Sequence, residues 1–466
     1  MKITGIIGAG AAAAAVLALV APAVPAEAAA TGVDGLWRSD GYNYIFAVDK
    51  GKLTSYQTTS ISCLPADVSG DRLPGTDPAR ARFGRKGKTE LVLTLTGRNA
   101  ARLLPLGSAA PIGLHRLSAL PARCGKPAPK DPLSVFDVYW TTYAENYPFF
   151  KTRKVDWQKA RAKYRPKVGP KTSDKKLFGI LADMTKPLGD AHTSLDAGDA
   201  GEFEGLRRGT RTGSNAFTAR TNKAIGAYLG VPLQSWGNGQ ISYGDLPDGL
   251  GYLRINRFVA YKGKDIDDIF YSDDSAELGR ALDSVFTKAR VRSLKGLVID
   301  VRNNGGGYDA LGLQIASRLT DAPYLAYVKA ARDDPKNPSR FTTPQRVTVR
   351  PAHAPAYRGP VAVLTSDLSV SAAETFTQAM MGRTPRPTRI GANTQGVFSD
   401  VLSGYLPNGW AFGLGNERYA DGRGHSFEGP GIAPDVRTPV FTEDELTHNR
   451  DSAIAKARQI LTQARP

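Results

Sequence analysis

At 466 residues, with 41% hydrophobic and 23% charged positions, the chain is long enough for two or three cored domains and too rich in apolar residues to be a disordered tail. Its formal charge of +17 raises nucleic acid as a partner, but no aromatic-basic recognition motif accompanies the lysines and arginines, so that class is set aside. Two cysteines rule out a disulfide-dense scaffold, and the absence of C-x-x-C and H-E-x-x-H patterns gives no reason to expect a metal or any other cofactor.

Residues 1–28 read as a secretory signal peptide. Lys2 precedes an Ala-rich apolar run from Gly8 to Val20, and Ala26-Glu27-Ala28 has the small-x-small form of a cleavage site. The expected location is therefore extracellular, with no stable membrane insertion, because no later segment offers about twenty uninterrupted apolar residues. From 33 to 125 the chain reads as a small antiparallel β module, with Tyr44 to Val48, the turn Asp49-Lys50-Gly51, Leu53 to Tyr56 and an alternating stretch from Glu90 to Thr96. Cys63 and Cys124 are expected to form a disulfide across it in an oxidising compartment. A linker follows at 126–134, where Pro127, Pro129 and Pro132 interrupt any regular pattern.

Residues 135–205 form the helical part of the next domain, carrying Phe136, Tyr139, Trp140, Tyr143, Tyr147 and Phe150 at spacings of three and four, a packing face. Between Lys151 and Lys176 stand eleven Lys or Arg residues against Asp156 and Asp174, a stripe that suits anionic cell-surface polymers, acidic substrates or simply solvent. A Gly-rich, weakly patterned stretch covers 198–250. Thereafter strands alternate with helices: Gly251 to Phe258, a helix from Ala276 to Ala289, Gly296 to Val301, a helix from Asp309 to Leu319, Pro360 to Leu364, and a helix from Ser371 to Met381. That order predicts an α/β core over 206–445 with a mostly parallel sheet, closed by a C-terminal helix at 446–466.

In such a sheet, ligands meet the chain beyond the carboxyl ends of the strands. Two segments arrive there. Gly296 to Val301 runs into Arg302-Asn303-Asn304-Gly305-Gly306-Gly307, where absent side chains let backbone N–H groups approach a ligand. Pro360 to Leu364 runs towards Ser371, at the start of a helix whose dipole favours developing negative charge. A serine in that place is equally well suited to be a helix cap. Of five histidines, His115, His353 and His448 stand in unpromising positions, leaving His192 and His425 as bases for a nucleophilic serine.

These segments together resemble peptidase family S41, the C-terminal processing and tricorn-like peptidases. Gly296-Leu-Val-Ile-Asp-Val-Arg-Asn-Asn-Gly-Gly-Gly307 resembles its strand and glycine motif, and Ser369-Val-Ser-Ala-Ala-Glu374 its nucleophile motif. Gly391-Ala-Asn-Thr-Gln-Gly396 and Glu428-Gly-Pro-Gly-Ile-Ala-Pro-Asp435 resemble the two segments that follow. The resemblance implies a ClpP/crotonase-like fold, Ser371 as nucleophile, and an oxyanion hole from Ala372 with Gly306 or Gly307. The processing branch uses a lysine directly after the turn, but Val397 stands there and no lysine occurs between Ser371 and Lys456. The tricorn-like branch takes histidine from L-G-x-x-H-T, matched by Leu188-Gly-Asp-Ala-His192-Thr193, which implies His192 as general base. Glu428 matches that branch's orienting acid, with Asp190 as its rival because Ala191 replaces the mediating serine. Glu374 is expected to position the helix rather than to react. The implied partners are peptide or protein substrates. A ligand-binding protein on the same scaffold and a small-substrate esterase or amidase are the competing readings.

Overall fold

The computed structural model describes residues 32–463, so the expected signal peptide lies outside the described residues. The β module is a closed antiparallel barrel of eight strands, β1 (Gly35–Ser39), β2 (Tyr44–Asp49), β3 (Lys52–Thr58), β4 (Cys63–Leu73), β5 (Arg80–Arg85), β6 (Lys88–Gly97), β7 (Ala100–Pro105) and β8 (Ile112–Leu117). Alternation builds it: Leu53, Ser55 and Gln57 of β3 are buried while the residues between them are not. Trp37, Phe46, Phe83, Leu93 and Leu103 are fully buried, so side chains fill the interior, and β1 pairs with β8 to leave no open edge. The expected turn at Asp49-Lys50-Gly51 takes φ of 48° at Lys50 and 75° at Gly51, the left-handed pair a tight hairpin needs. Cys63 and Cys124 are joined in the expected disulfide, tying the start of β4 to the segment beyond β8.

The linker is shorter than expected. Asp131 caps a helix, accepting from the N–H groups of Leu133 and Ser134 at 3.0 and 3.1 Å, and Pro132 occupies its first turn, where no N–H is needed. Helices α1 (Pro132–Asn146), α2 (Trp157–Tyr164) and α3 (Asp174–Thr185) follow. Tyr139 and Tyr143 of α1 and Tyr147 just beyond its end are fully buried with ring centroids 4.8 and 6.1 Å apart, the packing face read from the sequence. Barrel residues such as Trp37 and helix residues such as Leu181 belong to one continuous apolar core, so the barrel is fused to the helices rather than strung beside them. The helical part ends in two short strands, β9 (Ser194–Asp196) and β10 (Glu202–Glu204).

The stretch that looked weakly patterned contains helix α4 (Asn215–Leu229), capped by Ser214 at one end and by Gly230 in the left-handed conformation at the other. Its apolar face is thin, Ala224, Ile225 and Leu229, which hides it from a periodicity reading. Strands β11 (Gln234–Trp236), β12 (Ile241–Asp245) and β13 (Leu250–Ile255) lead through helices α5 (Tyr271–Val285) and α6 (Lys288–Ser293) to β14 (Gly296–Asp300) and helix α7 (Asp309–Ser317). Then come β15 (Tyr324–Ala331), β16 (Gln345–Val349), β17 (Val361–Thr365), helix α8 (Ala372–Met381), β18 (Thr388–Gly391), β19 (Val401–Tyr405), β20 (Ala411–Gly415), β21 (Glu417–Ala420) and β22 (Val436–Arg437). The central sheet runs β11-β12-β13-β14-β17-β18-β22 and is parallel from β13 onward. Every residue of β14 and β17 is buried, as both-faced coverage requires. Two small sheets, β10-β9-β20-β19 and β16-β15-β21, are antiparallel.

The expected single C-terminal helix is two, α9 (Glu443–Thr447) and α10 (Ser452–Gln463). The break is set by Asn449, at φ 51°, and by Asp451, whose Oδ1 accepts from the Ile454 N–H at 2.9 Å. Both Asp451 oxygens also accept from Arg302 at 2.8 Å, and Arg302 is held in turn by Asp300. That buried triad docks α10 beneath the carboxyl end of β14. Among the described residues, no helix is long and apolar enough to cross a membrane.

Candidate active site

Ser371 joins β17 to α8 with φ 56° and ψ −119°, a conformation that non-glycine residues avoid at a cost of about 1–3 kcal/mol. Such strain at a strand-to-helix turn is a recognised way of presenting a serine hydroxyl at the end of a sheet. Its surroundings hold it there. The Ser371 N–H donates to Val397 O at 3.1 Å, and the Val370 N–H donates to Asn304 O at 3.0 Å. Ser369, two residues before, donates its hydroxyl to Val301 O at 2.7 Å, so the Ser371 segment is tied to the carboxyl end of the neighbouring strand.

The glycine loop packs directly on this turn. A Cβ on Gly306 would come within 2.7 Å of the Ser371 Cβ, so only glycine permits the approach. The Gly306 N–H, however, donates to Asn304 Oδ1 at 2.9 Å, which removes it from the expected oxyanion pair. Gly307, at φ 135°, donates to no carbonyl among the described backbone bonds, and Ala372, as the first residue of α8, has no intrahelical acceptor for its N–H. Of the three N–H groups expected to face an oxyanion, those of Ala372 and Gly307 are left without an acceptor among the described bonds.

Glu374 is fully buried and accepts three backbone N–H groups, from Gly396 at 2.6 Å, Val397 at 2.8 Å and Ser371 at 3.2 Å. It pins the turn over residues 394–397 against the start of α8, the positioning role expected of it. Burial pushes its carboxyl up to about 7 against the opposing effect of the Thr394 side chain and of those donors.

His192 is 3% exposed and lies in a turn capped by Asp190, whose Oδ1 accepts from the His192 backbone N–H at 2.9 Å. Burial lowers the imidazole's affinity for a proton, with Asp190 and then Asp400 opposing it. Its Nδ1 is buried without a hydrogen-bond partner, so neither Glu428 nor Asp190 accepts a bond from that atom. Asp190 is nonetheless fixed: Tyr147 donates to its Oδ2 at 2.7 Å and Arg153 stands 3.4 Å away.

Glu428 is 4% exposed and is not the imidazole's hydrogen-bonded orienter. Its Oε1 accepts from Arg153 at 2.7 Å and its Oε2 from the Phe398 N–H at 2.9 Å. Arg153 also donates to Gly189 O and Gly396 O, both at 3.2 Å. Arg153 thus joins the turn of His192, the carboxylate of Glu428 and the turn that holds Ser371 into one network. Burial first, and the neighbouring Asp190 second, drive the Glu428 carboxyl well above the ordinary range. Ser371 and His192 are not hydrogen-bonded to each other in this structure, and catalytic contacts of this kind tighten when substrate binds. The four remaining histidines are distant from this chemistry in character: His115 is paired with Asp40 at the barrel surface, His448 with Asp444, His353 is exposed, and exposed His425 packs edge-on against Phe427.

Sequence reasoning missed Arg153, Tyr147 and Asn304. Arg153 is one cation in a run of eleven, and nothing local distinguishes the one that turns inward. Tyr147 was legible as a packing residue, but its hydroxyl also serves Asp190, the polar end that buried tyrosines usually partner.

Residues 249–438 match the model of peptidase family S41, and residues 128–186 match that of the tricorn protease C1 domain. A putative peptidase from Parabacteroides merdae ATCC 43184 is similar at 28% identity and a TM-score of 0.59, over 72% of this chain and 98% of that one. Mature CPAF shares the fold at 13% identity and a TM-score of 0.54, over 72% and 96% of the two chains. No curated protein matches the chain. The strand, glycine loop, serine turn and closing segment of the S41-matching region are assembled at one sheet edge, so residues 249–438 are similar to peptidase family S41 and the chain is a serine-type hydrolase.

Proposed function

We propose that the chain is a secreted serine peptidase that cleaves peptide bonds through a Ser371 nucleophile, with His192 as general base. The observation that carries this reading is the strained Ser371, presented at the start of α8 beside the glycine loop and linked through Arg153 to the turn of His192. His192 takes the hydroxyl proton as Ser371 Oγ attacks the substrate carbonyl carbon. The Ala372 and Gly307 N–H groups stabilise the tetrahedral oxyanion. The imidazolium then returns its proton to the leaving amine, and water repeats the sequence to release the acyl group and regenerate the serine. A base whose burial keeps it neutral near pH 7 suits the first step.

Glu428 and Asp190 act at one remove. With Arg153 they form a buried cluster that fixes the His192 turn, and the Asp190 carboxylate favours the imidazolium as it forms. Secretion is supported by the sequence of residues 1–28 and by the Cys63–Cys124 disulfide, which suits an oxidising compartment. The test is digestion of a peptide library followed by mass spectrometry. Defined cleavage products from the wild-type protein and none from Ser371→Ala support peptide-bond hydrolysis, whereas turnover of small esters alone points to the esterase reading.

A further inference from the structure

Beside the catalytic turns lies an open groove of about 780 Å³. Its walls are the turn Lys186–Gly189 that leads to His192, the segment Leu206–Arg208, and Gly429-Pro430, which directly follow Glu428. Buried Arg153 also lines it. Four of its lining side chains, Arg153, Lys186, Arg207 and Arg208, are cations and none is acidic. Arg153 is neutralised by Glu428 and Asp190, but Arg207 directs its guanidinium to two carbonyl oxygens, those of Gly429 and Gln395, which leave its charge uncompensated. Lys186 and Arg208 are exposed at the mouth.

The groove is coupled to the nucleophile by its own wall. Gln395, which accepts from Arg207, donates its N–H to Ser369 O at 3.0 Å, and Gly396 beside it is held by Glu374. A Cβ on Gly189 would meet the Arg207 Cα at 3.4 Å, so the turn that carries the base runs alongside the same arginine. A chain segment lying in this groove therefore touches the outer face of the loops that hold both catalytic side chains.

We infer that this groove is a specificity subsite that receives an acidic side chain of the substrate peptide, with Lys186, Arg207 and Arg208 as its cations. The inference rests on the peptidase reading above and names the substrate class for it. Concave walls of one charge sign attract counter-charge more strongly than a flat surface does, and the preference falls as salt screens it. Arginine suits this task because its planar fork matches a carboxylate.

The test uses the mature protein and peptides acetylated and amidated at their ends, with one glutamate walked along the sequence and each paired with its glutamine counterpart. At least one glutamate position is expected to raise kcat/KM about tenfold over glutamine, a difference of about 1.4 kcal/mol. That ratio should shrink between about 0.05 M and about 0.5 M salt, and fall towards or below unity in Lys186→Glu/Arg208→Glu. If that double variant does not fold, single Lys186→Gln and Arg208→Gln changes, each at an exposed position, should each lower the ratio by about threefold. Equal rates for glutamate and glutamine at every position overturn the inference, as does a ratio that the variants leave unchanged. A preference that appears only when the peptide's own C-terminus is left free also overturns it, since a terminal carboxylate would then be the ligand. Cleavage of no peptide at all would instead overturn the peptidase reading on which the subsite depends.

Discussion

Replacing Glu374 separates a positioning carboxylate from a reacting one. Its two oxygens accept three backbone N–H groups in a site closed to water. Glu374→Ala orphans the Gly396 and Val397 donors, the Ser371 N–H keeping Val397 O, at about 1–3 kcal/mol each, reduced where water enters the vacated space, so a loss of about 2–4 kcal/mol is expected. Glu374→Gln keeps one accepting oxygen but turns an NH₂ towards N–H groups, and should lose about 1.5–3 kcal/mol. The pH dependence gives an internal check. The folded carboxyl titrates near 7, above its unfolded value of 4.5, so burial of the neutral form stabilises the protein fully below about pH 4.5. That contribution is lost as pH rises towards 7, and the wild type should exceed Glu374→Gln by more at pH about 5 than at pH about 8. Urea unfolding midpoints, at constant slope, measure this. Because the turn over 394–397 and Ser371 share the carboxylate, kcat/KM should fall at least about a hundredfold in either variant, the scale of a misplacement near 1 Å. Wild-type midpoints and wild-type kcat/KM in Glu374→Gln and Glu374→Ala would refute the assigned role.

Three further outcomes follow from the same geometry. Since burial lowers the His192 pKa, kcat/KM should rise with pH through an apparent pKa below the usual value of about 6.5, and an ascending limb well above it would contradict a buried neutral base. By linkage the same depression stabilises the fold above about pH 6.5, and protonating the buried ring removes that contribution as pH falls through the lowered value. Arg153→Met leaves Glu428 and Asp190 buried without their cation and should lower unfolding stability by about 3–5 kcal/mol, partly recovered at low pH where the carboxyls take up protons; unchanged thermal melting would argue against the network. Reducing the disulfide opens a closure spanning 61 residues and should lower stability by about 4 kcal/mol, read from denaturant midpoints with and without reductant.

What the sequence made legible was local. The serine turn, the glycine loop and the alternation of strand and helix are each written in a dozen consecutive residues, and the structure assembles them at one sheet edge. The tyrosines of α1 were legible for the same reason, at helical spacing on one face. Features that depend on distant partners were not. Closure of the barrel requires β1 to meet β8, which no run of residues announces. The Arg153–Glu428 contact joins residues 275 apart, so the acid expected at the imidazole stands on a guanidinium instead. The diversion of the Gly306 N–H to Asn304 depends on a side-chain rotamer, which a glycine count cannot show. Helix α4 escaped notice because three small or aliphatic contacts suffice to dock it, and the break before α10 because Asp451 answers to Arg302 on a different strand.

The account stands or falls on whether Ser371 is a nucleophile activated by His192. Reaction of the folded protein with a fluorophosphonate, followed by peptide mapping, tests this directly. The expected result is a single adduct on Ser371, absent from Ser371→Ala and strongly slowed in His192→Ala while both variants melt like the wild type. Labelling at another serine, or undiminished labelling of Ser371 without His192, would contradict it.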